Sequence, residues 1–115
     1  MARFLISFDE GWMDISEEDL PAVADAAHAV IQEAKDAGVF VFSGGLPLKP
    51  ETTVVAPDGT ITDGPYPETK EVIGGVLVVN VPTRAEAVEW AKKTAAACRC
   101  SQEVREFLPD PLVED

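Results

Sequence analysis

Apolar residues gather in short runs that predict β-strands. Val, Ile, Leu and Phe dominate these runs, and Gly or Pro residues stand near their ends, which is typical of strands bounded by turns. The Gly74-Gly75 pair inside one run predicts a β-bulge. Strands are predicted over residues 2–8, 39–48, 72–81 and 101–107, with a hairpin of residues 52–56 and 60–63 around a Pro-Asp-Gly turn.

Two other segments carry apolar residues at the three- and four-residue spacing of a helix. The first helix is predicted to begin at Asp19 and to end at Gly38, which would adopt a left-handed cap. The second is predicted over residues 84–97, because Thr83 and Glu86 form a capping box before it. The apolar stripe of the first helix comprises Leu20, Val23, Ala27, Val30, Ile31 and Ala34, and that of the second comprises Ala87, Trp90, Ala91 and Ala95.

The order of these elements is β-α-β, a hairpin, and β-α-β again. Helices connected in this way pack together on one face of an antiparallel sheet, so the pattern predicts an α+β fold of the ferredoxin-like βαββαβ type with a hairpin insert. A chain of 115 residues fits one domain. We assign residues 1–108 to that domain and residues 109–115 to an acidic, proline-containing tail.

The strands lack the alternation of a sheet with one wet face. Val39 and Val41 are predicted to point one way and Phe40 and Phe42 the other, and residues 76–81 are apolar on both faces. Two helices cover one face only, and an exposed apolar sheet face is rare in monomers. We therefore expect a homodimer in which two sheets pack face to face, closing a dimeric α/β barrel. The alternative is that the tail and the hairpin cover this face.

Composition excludes some classes of partner. The formal net charge is -12, from 21 acidic and 9 basic residues, which disfavours nucleic acids and anionic membrane surfaces. The acidity has a simpler reading as a contribution to solubility. No apolar run is long enough for a membrane helix, and the first residues do not resemble a signal peptide. We expect a cytoplasmic protein with reduced cysteines.

The segment TDGPYPETKEVIGG, residues 62–75, is the first candidate for chemistry. Gly64 permits a positive φ, and Pro65 and Pro67 fix their own φ and restrict their neighbours. A rigid backbone suits ionisable groups that act as acids or bases. Asp63, Lys70 and Glu71 are candidate catalytic residues, and Tyr66 and Glu68 are candidate ligand-binding residues. The alternative is a structural turn whose charges pair with each other.

Four residues outside this segment are further candidates for chemistry. His28 is the single histidine and lies beside the apolar stripe of the first helix, either as a catalytic residue or as a surface residue. Arg105, on the last strand, is a candidate for binding an anionic ligand or for an ion pair. Cys98 and Cys100 are too few for a tetrahedral metal site and too close in sequence for a good disulfide, so we predict no metal and no cofactor.

The run Asp63-Gly64-Pro65-Tyr66, continued by Glu-Thr-Lys-Glu over residues 68–71, resembles the YCII-related family and specifically its DGPF-domain branch. Tyr66 stands where that branch usually has Phe. The likeness extends over most of the chain, through the Gly pair to the Glu-Val-Arg run of residues 103–105.

The resemblance implies a ferredoxin-like subunit in a dimeric α/β barrel. It also implies a helix-borne His with a nearby Asp as an active pair; counted back from Gly38, that His position falls at Ala27, one residue before His28. Members of the branch are associated with extracytoplasmic-function sigma factors in bacterial genomes. Three alternatives stay open. The chain is a homodimer that binds an unknown small molecule, with or without acid/base catalysis, or a non-catalytic accessory protein that acts through a protein partner, or a structural domain with no present activity.

Overall fold

The computed structural model describes residues 1–47, 52–64 and 73–113. A short 3-10 turn, Glu10–Trp12, follows the first strand. The strands are β1 (Ala2–Asp9), β2 (Phe40–Gly45), β3 (Thr52–Val55), β4 (Ile61–Gly64), β5 (Ile73–Val81) and β6 (Glu103–Glu106), and the helices are α1 (Leu20–Asp36) and α2 (Arg84–Cys98).

Within the described residues, four strands form one antiparallel sheet in the order β2-β5-β1-β6. With the hairpin left out, this order is that of a ferredoxin-like α+β fold, so that part of the prediction agrees with the structure. Strands β3 and β4 pair only with each other and form a second, two-stranded sheet, which we call the hairpin. The sheet of the single chain does not close into a barrel.

Both helices begin and end close to the predicted residues. Gly38 has a φ of 74° after α1, which confirms the left-handed cap. The Thr83 hydroxyl accepts a hydrogen bond from the Glu86 N–H at 3.2 Å, as expected for a capping box. Arg99 ends α2 in a left-handed conformation, with φ 57° and ψ 37°, which no sequence pattern indicated. Neither helix is both long and apolar enough to cross a membrane, among the residues described.

The core lies between α2 and one face of the sheet, which we call the helix face. Because paired residues of an antiparallel sheet share a face, the partners Phe4 and Val79, and Ile6 and Leu77, project together and are nearly inaccessible to solvent. Ala87 of α2 is fully buried against them. Its small side chain lets the helix lie close to the sheet.

The opposite side of the sheet, which we call the open face, carries no helix. The described residues that strand pairing places on it include Arg3, Leu5, Ser7, Phe42, Gly44, Val76, Val78, Asn80, Glu103 and Arg105. Leu5 and Val78, which pair with each other, are half-buried, and Phe42 is 58% exposed. The open face is thus apolar along its middle, and no other described part of the chain covers it.

One predicted alternation is wrong. Phe40 and Phe42 do not share a face, because the register shifts between them and leaves Val41 as an extra residue. Phe40 pairs with Val79 and packs against the core, whereas Phe42 pairs with Val78 on the open face. A bulge of this kind adds one residue to one strand and so reverses the direction of every side chain beyond it.

The bulge predicted at the Gly74-Gly75 pair is present. Phe8 pairs with Gly75 and Asp9 pairs with Ile73, so Gly74 has no partner on β1. A Cβ atom on Gly75 would lie 2.7 Å from the Phe8 ring, and one on Gly74 would lie as close. The ring therefore occupies the space that side chains at both positions would need.

Candidate functional site

The structure separates the residues that the sequence predicted as a site. Asp63 lies on β4 of the hairpin, opposite Thr53, and is exposed. His28 lies on α1, and Arg105 lies on β6, on the open face. These three described residues are therefore on different parts of the fold. The other predicted residues, Tyr66, Glu68, Lys70 and Glu71, lie outside the described residues.

Arg105 lines a small depression on the open face, of about 30 Å³. Its Nε atom lies 3.9 Å from the Glu103 carboxylate, and both side chains are largely exposed. Ser7 and Asp9 of the neighbouring strand complete much of the wall. A space of this size holds about one water molecule, so by itself it is too small for an organic ligand.

A larger cleft, of about 410 Å³, lies on the other side of the sheet, between α1, the C-terminal end of α2 and the ends of β2 and β5. Its volume falls in the range of small-molecule sites. The described residues that line it are mostly apolar.

The α1 wall of the cleft comes from the apolar stripe that the sequence predicted. The stripe divides into two parts: Val23, Val30 and Ala34 are buried, whereas Ala27 and Ile31 face the cleft with more exposure. His28 follows Ala24 by one helical turn and lines the cleft from an exposed position. The imidazole is thus open to both the cleft and the solvent.

The floor of the cleft is made of two glycine pairs on neighbouring strands. Gly45 of β2 pairs with Gly75 of β5, and both lie on the helix face. Side chains at these positions would stand upright in the cleft, since residues of a strand project perpendicular to the sheet. The Phe8 ring fills that space at Gly75, whereas the backbone at Gly45 faces the cleft directly.

The last turns of α2 supply polar groups to the opposite wall. Thr94 is buried, and its hydroxyl donates to the Ala91 carbonyl oxygen at 3.0 Å. Cys98 lies one turn later and also lines the cleft. Burial raises the pKa of the Cys98 thiol, and the neighbouring Cys100 raises it further. Cys98 therefore presents a neutral thiol at neutral pH and is a poor nucleophile there.

Ser43 and Gln102 bring two more polar groups to the cleft. The Ser43 hydroxyl donates to the Val76 carbonyl oxygen at 2.9 Å, across the β2–β5 pairing. The Gln102 amide nitrogen lies 3.5 Å from the Cys100 sulfur. Together with His28 and Thr94, these side chains give an apolar cleft a small number of placed hydrogen-bonding groups, which is the usual composition of a ligand site.

An ion pair links the two helices at one end of the cleft. Arg99 donates from Nη1 to the Asp19 carboxylate at 3.0 Å. Asp19 directly precedes Leu20, and Arg99 directly follows Cys98, and both Leu20 and Cys98 line the cleft. The pair therefore joins the residues that flank the first residue of α1 and the last residue of α2.

No group of three or more His, Cys, Asp and Glu residues is arranged to hold a metal ion, in the portion of the chain that the structure describes. Cys98 and Cys100 are both free thiols. The chemistry available in the described cleft is hydrogen bonding, apolar contact and proton transfer at His28.

Ser43, Thr94 and Gln102 are cleft residues that the sequence patterns did not single out. For Thr94 a signal existed, because it continues the spacing of Ala87 and Ala91 along one helix face. For the floor, the signal was the presence of a Gly pair in each of two apolar strands, Gly44-Gly45 and Gly74-Gly75. The sequence does not show that these strands are neighbours.

Comparison with models of known families assigns the chain to one of them. The sequence model of the YCII-related domain matches residues 12–109. This match spans most of the 115 residues. The chain belongs to the YCII-related family. The resemblance inferred from the sequence is thus confirmed at the level of the family, and a search of curated proteins found no match.

Proposed function

We propose that this YCII-related protein binds a small organic molecule in the cleft between α1, α2 and the sheet. The observation that carries the proposal is the cleft itself: about 410 Å³, mostly apolar, with a few hydrogen-bonding side chains. Apolar clefts that contain few placed polar groups are the usual form of small-molecule sites. The proposal moves the expected site from residues 63–71 to the helix face of the sheet.

His28 is the proposed acid/base residue. It lines the cleft and is the single histidine of the chain, and imidazole is the side chain most often used for proton transfer near neutral pH. Lys70 and Glu71 are retained as candidates for proton transfer, because they precede Gly74 of the cleft floor by four and three positions. Four residues reach at most about 14 Å. We also propose that the chain belongs to the DGPF branch of the family. Asp63, Tyr66 and Glu68 are part of the motif that supports this assignment.

The protein is further proposed to act as a homodimer joined through the open face. The support is the apolar middle of that face, where Leu5, Val78 and Phe42 lie together without cover from the described part of the chain. Two copies of such a face bury each other in an isologous contact. Arg105 would then lie at the interface, and its predicted role in binding a ligand becomes a contact between subunits.

A screen with a cysteine reporter tests the binding proposal. A fragment library is screened by thermal shift on the Cys100→Ala variant, which keeps Cys98 as its only thiol, and hits are tested for protection of Cys98 from iodoacetamide. Cys98→Ala is the matched control, because Cys100 does not line the cleft among the described residues. Fragments that protect Cys98 and leave Cys100 labelling unchanged support the cleft. Hits that stabilise the protein and leave Cys98 labelling unchanged contradict it.

His28→Gln then separates binding from catalysis. Glutamine keeps hydrogen-bonding capacity and cannot transfer a proton at neutral pH. For any reaction found with a bound molecule, we expect the rate to fall roughly 10²–10⁴-fold with little change in affinity. Gln32→Ala, one turn further along α1, is the surface control and should leave both quantities unchanged. An unchanged rate in His28→Gln would remove His28 from the mechanism.

A second candidate function is that of an accessory protein acting through a protein partner. The hairpin favours it, because Val55 and Ile61 are 63% and 68% exposed on a two-stranded sheet, and an isolated hairpin is at best marginally stable in water. The test is a titration of the purified protein with an extracytoplasmic-function sigma factor of the same bacterium. Binding that is lost in Val55→Ser with Ile61→Ser supports this function, and no binding at micromolar concentration argues against it.

A further inference from the structure

The hydroxyl protons of Ser43 and Thr94 already take part in hydrogen bonds within the protein. A hydroxyl has one proton to donate and two lone pairs that accept. Ser43 donates to the Val76 carbonyl oxygen at 2.9 Å, and Thr94 donates to the Ala91 carbonyl oxygen at 3.0 Å. In any hydrogen bond that either hydroxyl makes to a ligand, the ligand must therefore be the donor.

The described lining of the cleft carries no permanent charge. It contains no Asp, Glu, Lys or Arg, although the chain as a whole has 21 acidic and 9 basic residues. An ionised ligand gives up its hydration on entering an apolar site and needs an opposite charge in return. His28 lies at the exposed edge of the cleft and does not supply that charge to its interior. The Cys98 thiol is neutral, since burial raises its pKa.

The cleft is also shaped for a flat group. Its floor consists of the peptide backbone at Gly45, which pairs with Gly75 across β2 and β5, and of the Phe8 ring, which fills the space at Gly75. A Cβ atom on Gly45 would have no atom nearer than the Gly74 carbonyl oxygen at 4.0 Å, so open space lies above this part of the floor. A planar apolar ring can lie against such a floor.

We propose that the part of the cleft lined by the described residues binds a mainly apolar, uncharged ring system that carries at least one hydrogen-bond donor, a hydroxyl or an N–H group, which the Ser43 and Thr94 hydroxyl oxygens accept. This assignment rests on the proposed binding function and narrows it to one chemical class. It disfavours a charged group attached directly to the ring, at the part of the cleft that the described residues line.

Three probes that share one ring system test the assignment. They are 2-naphthalenemethanol, which is neutral and has a donor; 2-(methoxymethyl)naphthalene, which is neutral and has none; and 2-naphthoate, which is an anion. Affinities are measured by isothermal titration calorimetry at pH 7.5. We expect the alcohol to bind roughly fivefold to tenfold more tightly than either of the other two, which is the contribution of one net hydrogen bond.

Variants then assign the preference to the two hydroxyls. In the double variant Ser43→Ala with Thr94→Val, the advantage of the alcohol over the ether should shrink to within about twofold, since both acceptors are gone. Thr53→Val, on the exposed strand β3, is the matched control and should keep the full preference. If the double variant fails to fold, Ser43→Ala alone should show part of the loss.

The outcomes are separable. Equal or tighter binding of the ether or the carboxylate overturns the ligand class and leaves the binding proposal standing. A preference for the alcohol that survives the double variant overturns the role of Ser43 and Thr94. Absence of binding by all three probes at millimolar concentration overturns this assignment. The proposed function then depends on whether any fragment of the separate screen protects Cys98.

Discussion

Gly45 and Gly75 face each other across the cleft floor, and the absence of a side chain has a different consequence at each position. A Cβ atom on Gly75 would lie 2.7 Å and 2.9 Å from atoms of the Phe8 ring, whereas one on Gly45 would have 4.0 Å to its nearest neighbour. The space at Gly75 is thus filled by the ring, and the space at Gly45 belongs to the cleft. At position 75, glycine avoids a clash with the ring and so preserves stability. At position 45, glycine keeps the cleft open to a ligand.

We therefore predict opposite effects for two alanine substitutions. Gly75→Ala should lower the free energy of unfolding by about 1–3 kcal/mol, because the ring must move. Gly45→Ala should leave it unchanged or raise it slightly, since alanine restricts the unfolded chain, and should weaken 2-naphthalenemethanol binding by at least about fivefold. Urea unfolding and calorimetry measure the two effects. Equal destabilisation by both substitutions would show that the floor at Gly45 is not free space.

At the scale of single residues, the sequence shows which side chains could act chemically, but it does not show which of them lie together in the fold. His28 is identifiable as a candidate from residue type, and it does line the cleft. Ser43 and Thr94 escape notice because isolated hydroxyls in strands and helices are common, and only tertiary packing brings these two to one cleft. Asp63 shows the reverse case, since its motif is specific, yet among the described residues it lies on the hairpin and away from the cleft.

At the scale of elements, the contact between the start of α1 and the end of α2 explains two local irregularities. Asp19 occupies the N-cap position without a side-chain capping bond, although Asp is a favoured capping residue. Arg99 adopts a positive φ of 57°, which favours glycine. Each residue departs from its local preference, and the two meet at 3.0 Å in the Arg99–Asp19 ion pair.

A double-mutant cycle separates the ion pair from the backbone. Arg99→Gly should be more stable than Arg99→Ala by about 1 kcal/mol, because glycine accepts a left-handed conformation without strain. Asp19→Asn should cost up to about 1 kcal/mol in the parent protein, as exposed ion pairs do. It should cost close to nothing in the Arg99→Gly background. Urea unfolding of the four proteins gives the coupling.

Asp19 could also stabilise the protein without Arg99. A carboxylate at a helix N-terminus also interacts with the free N–H groups of the first turn. If Asp19→Asn costs the same free energy in both backgrounds, Asp19 acts on α1 alone, and Arg99 does not hold the two helices together.

The elements themselves follow closely from the sequence pattern, and the errors have local causes. Both helices match within one or two residues because capping residues and apolar spacing agree. Strand β2 ends at Gly45, earlier than predicted, and Pro47 lies just beyond, where it has no N–H to donate. The extra residue Val41 reverses Phe42, because a bulge depends on the neighbouring strand and leaves no mark in the apolar pattern.

At the scale of the whole molecule, the fold class was predictable and the assembly stays a prediction. The element order leads to the β2-β5-β1-β6 sheet with few alternatives. The sheet of one chain shows an apolar open face, and it is open because the helices lie on the other side. Whether a second copy covers it depends on the free energy of association, which the pattern of one chain does not contain.

Substitution on the open face tests the homodimer. The parent protein should have twice the mass of one chain by light scattering at micromolar concentration. Phe42 is 58% exposed in the single chain and pairs with Val78 at the middle of the open face. Phe42→Asp should raise the dissociation constant of the dimer by roughly 30-fold or more, because a large aromatic side chain buried in an interface can contribute about 2 kcal/mol. Its unfolding at the level of the single chain should change little, since Phe42 is outside the core.

Leu112→Asp is the matched control, because Leu112 is also an exposed apolar residue, at 94%, and lies near the C-terminus beyond β6. It introduces the same charge and should leave the mass at that of the dimer. If Phe42→Asp also stays dimeric, the copies associate through another surface, and the exposed residues Val55 and Ile61 of the hairpin become the next candidates. If the parent protein is monomeric, the open face needs a different partner, and the accessory function gains support over a dimer joined through the sheet.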